Sequence, residues 1–375
     1  MTASQIAMND FVRQWADTAP AVLDAVNRVG AGGWYILGPE VKSFEEGLAA
    51  FLGRRFAVGC ASGLDAIEIA LRCLGLKPGQ KVLTTPLSAF ATTLAILRAG
   101  GRPVFVDVDQ TGGIDLDRCK DLLARDSSIR FFVPVHLFGH PGNLELLADL
   151  KSRFQLKLVE DCAQAIGARF GGQPVASVGD ISALSFYPTK NLGALGDGGA
   201  VVTDDGALAH LARSLRDYGQ TAKYVHDLLG LNSRLDELHA AILGRAFLPR
   251  LSQWAERREK IAQRYLQGIR NPLVRLVPVP ADSRPAWHLF PVLVDPSQRN
   301  AFCAYLEEGG VRTGIHYPRI IPRQKAIATG PWFEIDGDLK RAEAFAAAEV
   351  SLPIHAYLRD DEVETVVSRI NAWKP

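Results

Sequence analysis

Between Phe56 and Thr203 short apolar runs alternate with longer amphipathic ones, and that alternation constrains the fold more than any other feature of the chain. The apolar runs Lys81–Thr85, Pro103–Val108, Phe131–Val135, Leu156–Val159, Ile181–Phe186 and Ala200–Thr203 read as strands. Between them Phe90–Arg98, Leu116–Ala124 and Leu144–Arg153 have helical periodicity. Ahead of them a short apolar strand from Phe56 enters Ala61-Ser62-Gly63, and a helix follows with Ile67, Ala70, Leu71 and Leu74 on one face. Strand and helix taken in turn require crossovers, so the fold class is α/β, with a mostly parallel central sheet flanked by helices. Such sheets bind ligands beyond the carboxyl ends of their strands. The Ser62-Gly63 turn, Phe90, Asp161 and the loop around Lys190 all follow strand ends, so they can meet on one edge.

The flanking segments read differently. Residues 1–30 form a helical lead-in, Trp34–Val41 a loop and Val41–Leu52 a helix. Leu208–Leu215 is helical, Arg216–Arg234 a long loop, and Asp236–Arg270 a long helical stretch with a break near Pro249. Its run Arg257-Arg258-Glu259-Lys260 reads as a solvated helix face. After Leu273 the pattern is α+β: strand Leu289–Val294, helix Arg299–Glu308, extended Val311–His316 and a closing helix Asp361–Trp373. The expected division is a large α/β domain, 1–250, and a smaller C-terminal α+β domain, 251–375.

The chain has 375 residues, and its 42 basic residues nearly cancel its 41 acidic ones. No general attraction to nucleic acid or to an anionic membrane is expected. No run approaches the roughly 20 apolar residues of a membrane span, and no secretory leader is legible. A cytoplasmic place is the expectation. The five cysteines, Cys60, Cys73, Cys119, Cys162 and Cys303, are scattered and show no metal-ligand spacing, so no metal site is expected.

Two local patterns carry chemistry, each with a plainer alternative. The strand, small-residue turn and helix at Phe56–Gly75 make an anion site, because the first amides of a helix are unpaired and its dipole favours negative charge. Ser62 can equally be the N-cap of that helix. In Ser185–Thr203 a single lysine, Lys190, sits among Pro188, Gly193, Gly196, Gly198 and Gly199. It is either a solvated surface charge or an amine that forms a Schiff base with an aldehyde cofactor.

The stretches YILGPEV, SGLDAIEIAL, PVFVDVD, PVHLFGHPGN, VEDCAQAIGA, SFYPTKNLGALGDGGAVVT, LRDYG, LNSRLDELHAA and GIHYP decide between these readings. Together they resemble the DegT/DnrJ/EryC1/StrS group of pyridoxal-phosphate sugar aminotransferases, in order and spacing, from about Trp34 to Pro353. The resemblance implies the aspartate aminotransferase fold (pyridoxal-phosphate fold type I) and a homodimer. It also implies transfer of an amino group, from an amino acid such as L-glutamate, to a nucleotide-linked keto-sugar. Lys190 then matches the lysine holding pyridoxal 5'-phosphate covalently as an internal aldimine. Asp161 matches the carboxylate facing the pyridine nitrogen; its alternative is a carboxylate capping the next turn. Gln164 matches the residue on the ring hydroxyl. Phe90 matches the stacking aromatic, although its pattern alone reads as core. Ser185, with the amides of Gly63 and Leu64, matches the phosphate cradle, and Asn232 a residue lent to the phosphate by the other subunit. Tyr224, His226, Arg234, His316 and Tyr317 are the candidates for the sugar, each with an equal structural reading.

The run KYVHDLLGLNSRLDE, with Ser233 after Asn232, resembles the branch that aminates C3 of a 3-keto-6-deoxyhexose, usually linked to dTDP. Three positions depart from the pattern: Leu64 stands where Thr is frequent, His239 where Gln is, and Pro322 where His is. The competing readings are amination at C4 of a 4-keto sugar, a dehydratase of the same fold, and a non-enzymatic regulator. Retention of Lys190 and Asp161 counts against the last.

Overall fold

The computed structural model describes residues 5–375. Helices α1 (Phe11–Gly32) and α2 (Pro39–Leu52) lead into the strands β1 (Phe56–Cys60), β2 (Lys81–Thr84), β3 (Arg102–Phe105), β4 (Phe131–Val133), β5 (Lys157–Asp161), β6 (Arg169–Phe170), β7 (Gln173–Pro174), β8 (Ile181–Ser185) and β9 (Gly199–Thr203). Between them lie α3 (Gly63–Cys73), α4 (Phe90–Arg98), α5 (Leu116–Arg125) and α6 (Leu144–Phe154). The main sheet runs β1-β9-β8-β5-β4-β2-β3, with Glu334–Ile335 added beside β3. β9 is antiparallel to both its neighbours, and every pairing from β8 to Glu334–Ile335 is parallel. The carboxyl ends of β1, β5 and β8 therefore share one edge, where Cys60 pairs with Gly199 and Gly199 with Ser185.

Side chains of the central strands are buried on both faces, which is why the runs look continuously apolar. Ala200, Val202 and Leu184 join the core under α1 and α2, while Val201, Ala183 and Val159 pack with Ile69, Ala70 and Leu71 of α3 on the other face. The period of two along β9 thus splits one strand between two cores.

The expected α/β class and mostly parallel sheet are what the structure has. Some elements differ. After α7 (Gly206–Arg216), the long loop contains a small hairpin, Gln220–Ala222 with Val225–His226. The long helical stretch is three pieces: α8 (Glu237–Ala241), a widened turn Ile242–Phe247 leading into a tight one at Leu248–Arg250, and α9 (Leu251–Gly268). Pro249 opens the tight turn, where its missing N–H costs no helical bond. The charge run in α9 is not simply solvated. Arg258 is buried and donates to Trp287 O at 3.0 Å and Ile354 O at 2.6 Å, and Glu259 accepts from Trp287 Nε1 at 3.0 Å.

The C-terminal part has its own three-stranded antiparallel sheet, with Phe290–Leu293 between Arg275–Leu276 and Glu349–Leu352. Helices Arg299–Glu308, Lys340–Ala348 and Asp360–Ala372 accompany it. It docks on the large sheet's edge through backbone: Ala286 N donates to Gly139 O at 2.8 Å and Leu289 N to Phe138 O at 3.2 Å. Gly139 has to be glycine here. Its φ is +88°, and a Cβ would lie 2.9 Å from both Gln164 O and His288 N. Among the described residues no helix is long and apolar enough to cross a membrane.

Candidate active site

The shared strand edge gathers the residues singled out around the main sheet. Ser62 caps α3, its Oγ accepting from Asp65 N at 3.1 Å. The N-cap reading is thus correct, and it leaves the anion reading intact, because no hydrogen bond of the described residues uses the amides of Gly63 or Leu64. Ser185, at the end of β8, faces that turn. A Cβ built on Gly63 would come within 2.6 Å of Ser185 Cβ and 3.0 Å of its Oγ. The absent side chain leaves a small concave seat between a hydroxyl and two helix-terminal amides, which suits a phosphate.

Asp161, at the end of β5, is buried. Its Oδ2 accepts from Thr92 Oγ1 at 2.8 Å and its Oδ1 from Ala163 N at 3.1 Å, while Ser88 Oγ lies 3.1 Å from Thr92 Oγ1. Burial pushes its pKa up, and the Ala163 amide, Thr92 and the Lys190 charge oppose that. Among the described residues no lysine or arginine forms an ion pair with it. A buried carboxylate without a cation is costly, and a protonated ring nitrogen would supply the missing partner.

Lys190 is half-buried in the loop between β8 and β9, which Phe186 N to Gly198 O (2.7 Å) and Ala194 N to Phe186 O (2.7 Å) hold closed. Desolvation brings its pKa down to about 8, against the raising effect of Asp161. Next to it Asn191 is buried, donating to Ala286 O at 2.7 Å and contacting His288 Nδ1 at 3.2 Å, so the lysine loop is tied to the C-terminal part. His288 stays neutral there, mainly through burial and then through the charge of Lys190.

Gln164 is buried with its Oε1 on Phe138 N at 2.6 Å. That contact turns its Nε2 toward Tyr317 Oη at 3.3 Å. Phe90 is half-buried at the start of α4 and packs in the same cluster as Tyr317. Burial, with Asp161 nearby, raises the Tyr317 phenol to about 12. His316 is held by Ser351 Oγ, 2.9 Å from its Nδ1, and by Glu349 Oε2, 2.6 Å from its backbone N. Desolvation and the Lys190 charge lower its pKa to about 4.

The other sugar candidates, and Asn232, the candidate for the phosphate, do not join this cluster among the described residues. Tyr224 and His226 lie exposed on the small hairpin, Asn232 is exposed beside it, and His226 Nδ1 contacts only Tyr218 O at 3.1 Å. Arg234 is taken by Asp217 Oδ1 at 3.0 Å and stacks 5.0 Å over Tyr218. Ser233 is buried, donating to Asp65 Oδ2 at 2.8 Å and accepting from Ala61 N at 3.1 Å, so it braces the phosphate turn rather than offering a group to a sugar. Of the departures, His239 pairs with Asp236 at 2.8 Å and sits under the lysine loop, where a Cβ on Gly196 would be 2.9 Å from its Nε2. Leu64 packs its side chain on the core beside α3. Pro322 is buried in a short turn.

Sequence reasoning missed Thr92, Ser88, Asn191, His288, Glu349 and Ser351. The first two flank Phe90 closely and Asn191 follows Lys190, so proximity to a motif was a usable signal. The last three come from distant segments and left none.

A sheet of this order, carrying a desolvated lysine and an unpaired carboxylate on its carboxyl edge, is the framework of pyridoxal-phosphate-dependent aminotransferases. The chain belongs to the DegT/DnrJ/EryC1/StrS aminotransferase family, whose model matches residues 17–371. It is 40% identical over 350 residues to a dTDP-3-amino-3,4,6-trideoxy-alpha-D-glucose transaminase from Streptomyces venezuelae, covering 93% of this chain and 91% of the relative. It is also 40% identical over 353 residues to a dTDP-3-amino-3,6-dideoxy-alpha-D-galactopyranose transaminase from Aneurinibacillus thermoaerophilus, covering 94% and 95%. The crystal structure of S. venezuelae DesV, in complex with a ketimine intermediate, superposes with a TM-score of 0.94 at 38% identity, covering 99% of both chains.

Proposed function

We propose that this protein transfers an amino group to the C3 keto carbon of a nucleotide-linked 3-keto-6-deoxyhexose, with dTDP as the nucleotide and L-glutamate as the donor. The observation that carries the reading is a desolvated Lys190 whose charge acts on a buried Asp161 that forms no ion pair among the described residues, on the edge that also holds the Ser185–Gly63 seat. The position of amination and the nucleotude class rest on the two relatives named as transaminases of 3-amino dTDP-sugars.

Pyridoxal phosphate, when bound, supplies an aldehyde carbon and a ring that accepts electrons. Ser185 Oγ and the amides of Gly63 and Leu64 would hold its phosphate. Asp161, fixed by Thr92 and Ala163, would keep the ring nitrogen protonated, and Gln164 Nε2 is the donor available to the ring hydroxyl. Phe90 would cover one ring face. Lys190 is the Schiff-base residue. With its pKa near 8, about one Lys190 in ten is neutral at pH 7 and able to attack a carbonyl carbon. Its free Nζ would also be able to take a proton from the substrate carbon and return it.

The working unit is proposed to be a homodimer. Tyr224 and His226 stand on an exposed hairpin and Asn232 is exposed beside it, and none of the three joins the site cluster among the described residues of their own chain. Trp34, Tyr35, Tyr187 and Leu229 are also exposed large side chains, Leu229 at 92%. A second copy that covers them would receive Asn232 at its phosphate and Tyr224 and His226 at its sugar, while His316 and Tyr317 are supplied in cis. Arg234, already paired with Asp217, would shape that hairpin.

The test is spectroscopic and then kinetic. Purified protein with pyridoxal phosphate should absorb in the visible and lose that band on adding glutamate; Lys190→Ala should form no such band. Turnover is then measured on dTDP- and GDP-linked 3-keto and 4-keto deoxysugars. Turnover of a 4-keto sugar alone would overturn the C3 assignment, and dehydration without amino transfer would point to the dehydratase reading.

A further inference from the structure

Behind His316 lies a hydrogen-bonded pair that the reaction scheme above does not use. Glu349 and Ser351 stand two residues apart on the same face of the C-terminal strand Glu349–Leu352. Both are buried completely. Ser351 Oγ donates to Glu349 Oε1 at 2.5 Å and lies 2.9 Å from His316 Nδ1, while Glu349 Oε2 accepts from His316 N at 2.6 Å. Backbone pairing of Gly314 with Ser351, at 3.0 and 2.8 Å, fixes the register of the two segments.

We propose that Glu349 and Ser351 are positioning residues that decide which ring nitrogen of His316 carries its proton, and so whether Nε2 accepts or donates a hydrogen bond in the site. This rests on the reading of Lys190 and His316 as parts of one site.

The argument follows from what each group can donate. An ionised Glu349 only accepts. Ser351 must then donate to it, so Ser351 Oγ accepts from His316, whose proton is on Nδ1. Nε2 is left as an acceptor. When Glu349 is protonated, Oε2 still accepts from the His316 amide and the proton sits on Oε1. Oε1–H then donates to Ser351 Oγ, whose own hydrogen turns to His316 Nδ1. The imidazole proton is now on Nε2, which becomes a donor. The net change is one proton taken from solvent: it enters at Nε2, the Nδ1 proton passes to Ser351 Oγ and the Ser351 proton to Glu349, so the imidazole's own count is unchanged.

The groups around the pair allow this exchange near neutrality. Burial raises Glu349 to about 7, opposed by the Ser351 hydroxyl, the His316 amide and Arg299. Arg299 and the Cys303 thiol face it from the helix Arg299–Glu308, and Tyr317 from the His316 segment. His316 faces Lys190, and with its pKa near 4 it remains neutral throughout. The change is therefore between two neutral tautomers, not a change of charge on the ring. Among the described residues no hydrogen bond engages His316 Nε2, so it is free to serve a ligand.

The test is nitrogen NMR of the cofactor-loaded enzyme labelled with 15N-histidine, the His316 signals being those lost in His316→Asn. Below and above about pH 7 the pyrrole-type and pyridine-type signals of its two nitrogens should exchange places. In Glu349→Gln the amide oxygen should stay on the His316 N–H, which turns the amide nitrogen to Ser351; the proton should then remain on Nε2 at every pH. Ser351→Ala keeps the carboxylate on the His316 amide and should remove the dependence on pH. In step with this, a limb near pH 7 in the wild-type kcat profile should vanish in Glu349→Gln. Signals that stay fixed on titration, or that match between wild type and Glu349→Gln, overturn the relay; an unaltered kcat profile overturns its role in turnover. Failure of the aminotransferase reading would show separately, as wild-type protein with no visible band and no turnover.

Discussion

Thr92 Oγ1 donates to Asp161 Oδ2 at 2.8 Å, inside the protein and across 69 residues of sequence. Among the described residues the carboxylate forms no ion pair with a lysine or arginine, so Ala163 N, this hydroxyl and the charges of Lys190 and His136 are what oppose its protonation. Thr92→Val keeps the shape and removes the donor. A hydrogen bond to a charged group is worth about 1.5–3 kcal/mol, or about 1–2 pKa units. Asp161 should then titrate higher, and the acid limb of kcat/KM should move up in pH by about that amount. An acid limb that stays in place would show that Thr92 does not hold the charge.

Lys190 predicts how the cofactor-free protein takes up pyridoxal phosphate. Its amine must be neutral to react, and its pKa is lowered to about 8. The second-order rate of uptake should therefore rise as pH increases through about 8 and then level off. Asp161 raises that value, so Asp161→Asn should shift the midpoint to lower pH. Stopped-flow absorbance against pH measures both; a midpoint that moves up would contradict the assigned coupling.

The seat between Ser185 and Gly63 predicts two different losses. Ser185→Ala removes one hydroxyl from a phosphate and should weaken cofactor binding by about 10- to 100-fold with little effect on folding. Gly63→Ala would place a methyl 2.6 Å from Ser185 Cβ. It should lower stability by about 1–3 kcal/mol as well as affinity. Titration of the visible band and urea denaturation separate the two.

Glu160, next to Asp161 in sequence, has a purely structural part. It accepts from Ala176 N at 3.0 Å, Val178 N at 2.8 Å and Gly179 N at 2.6 Å, and contacts His136 Nε2 at 3.1 Å. Burial raises its pKa, but the His136 hydrogen bond and these amides lower it further, for a net depression. Its contribution is thus present above the ordinary carboxylate range and lost as pH falls through the depressed value. Glu160→Gln should cost about 3 kcal/mol, because an NH2 group would face backbone N–H donors. Denaturation midpoints at neutral and acid pH test the magnitude and the sign.

The fold was legible because β-strands buried on both faces need unbroken apolar residues and crossover helices need a 3.6-residue period. Phe56–Thr203 carries both signals, and the strand ends found there differ from the expected ones by at most three residues. Short strands such as Arg169–Phe170, Ser283–Arg284 and Glu334–Ile335 were not legible, since two residues have no periodicity to read. The charge run at Arg257–Lys260 misled for a related reason. A guanidinium can be buried once carbonyls surround it, and the carbonyls of Trp287 and Ile354 are remote in sequence.

The sequence by itself determined the parallel α/β framework, the turn that presents free amides at Gly63 and Leu64, and the residues Asp161, Gln164, Ser185 and Lys190 that local motifs mark. Tertiary structure decided their states. Folding puts Thr92 on Asp161, desolvates Lys190 until its amine titrates near 8, and sets Ser351 and Glu349 behind His316. A pKa and a tautomer depend on which dipoles and charges lie within a few ångströms. Those neighbours come from strands and loops far apart in the chain, so no local pattern contains them.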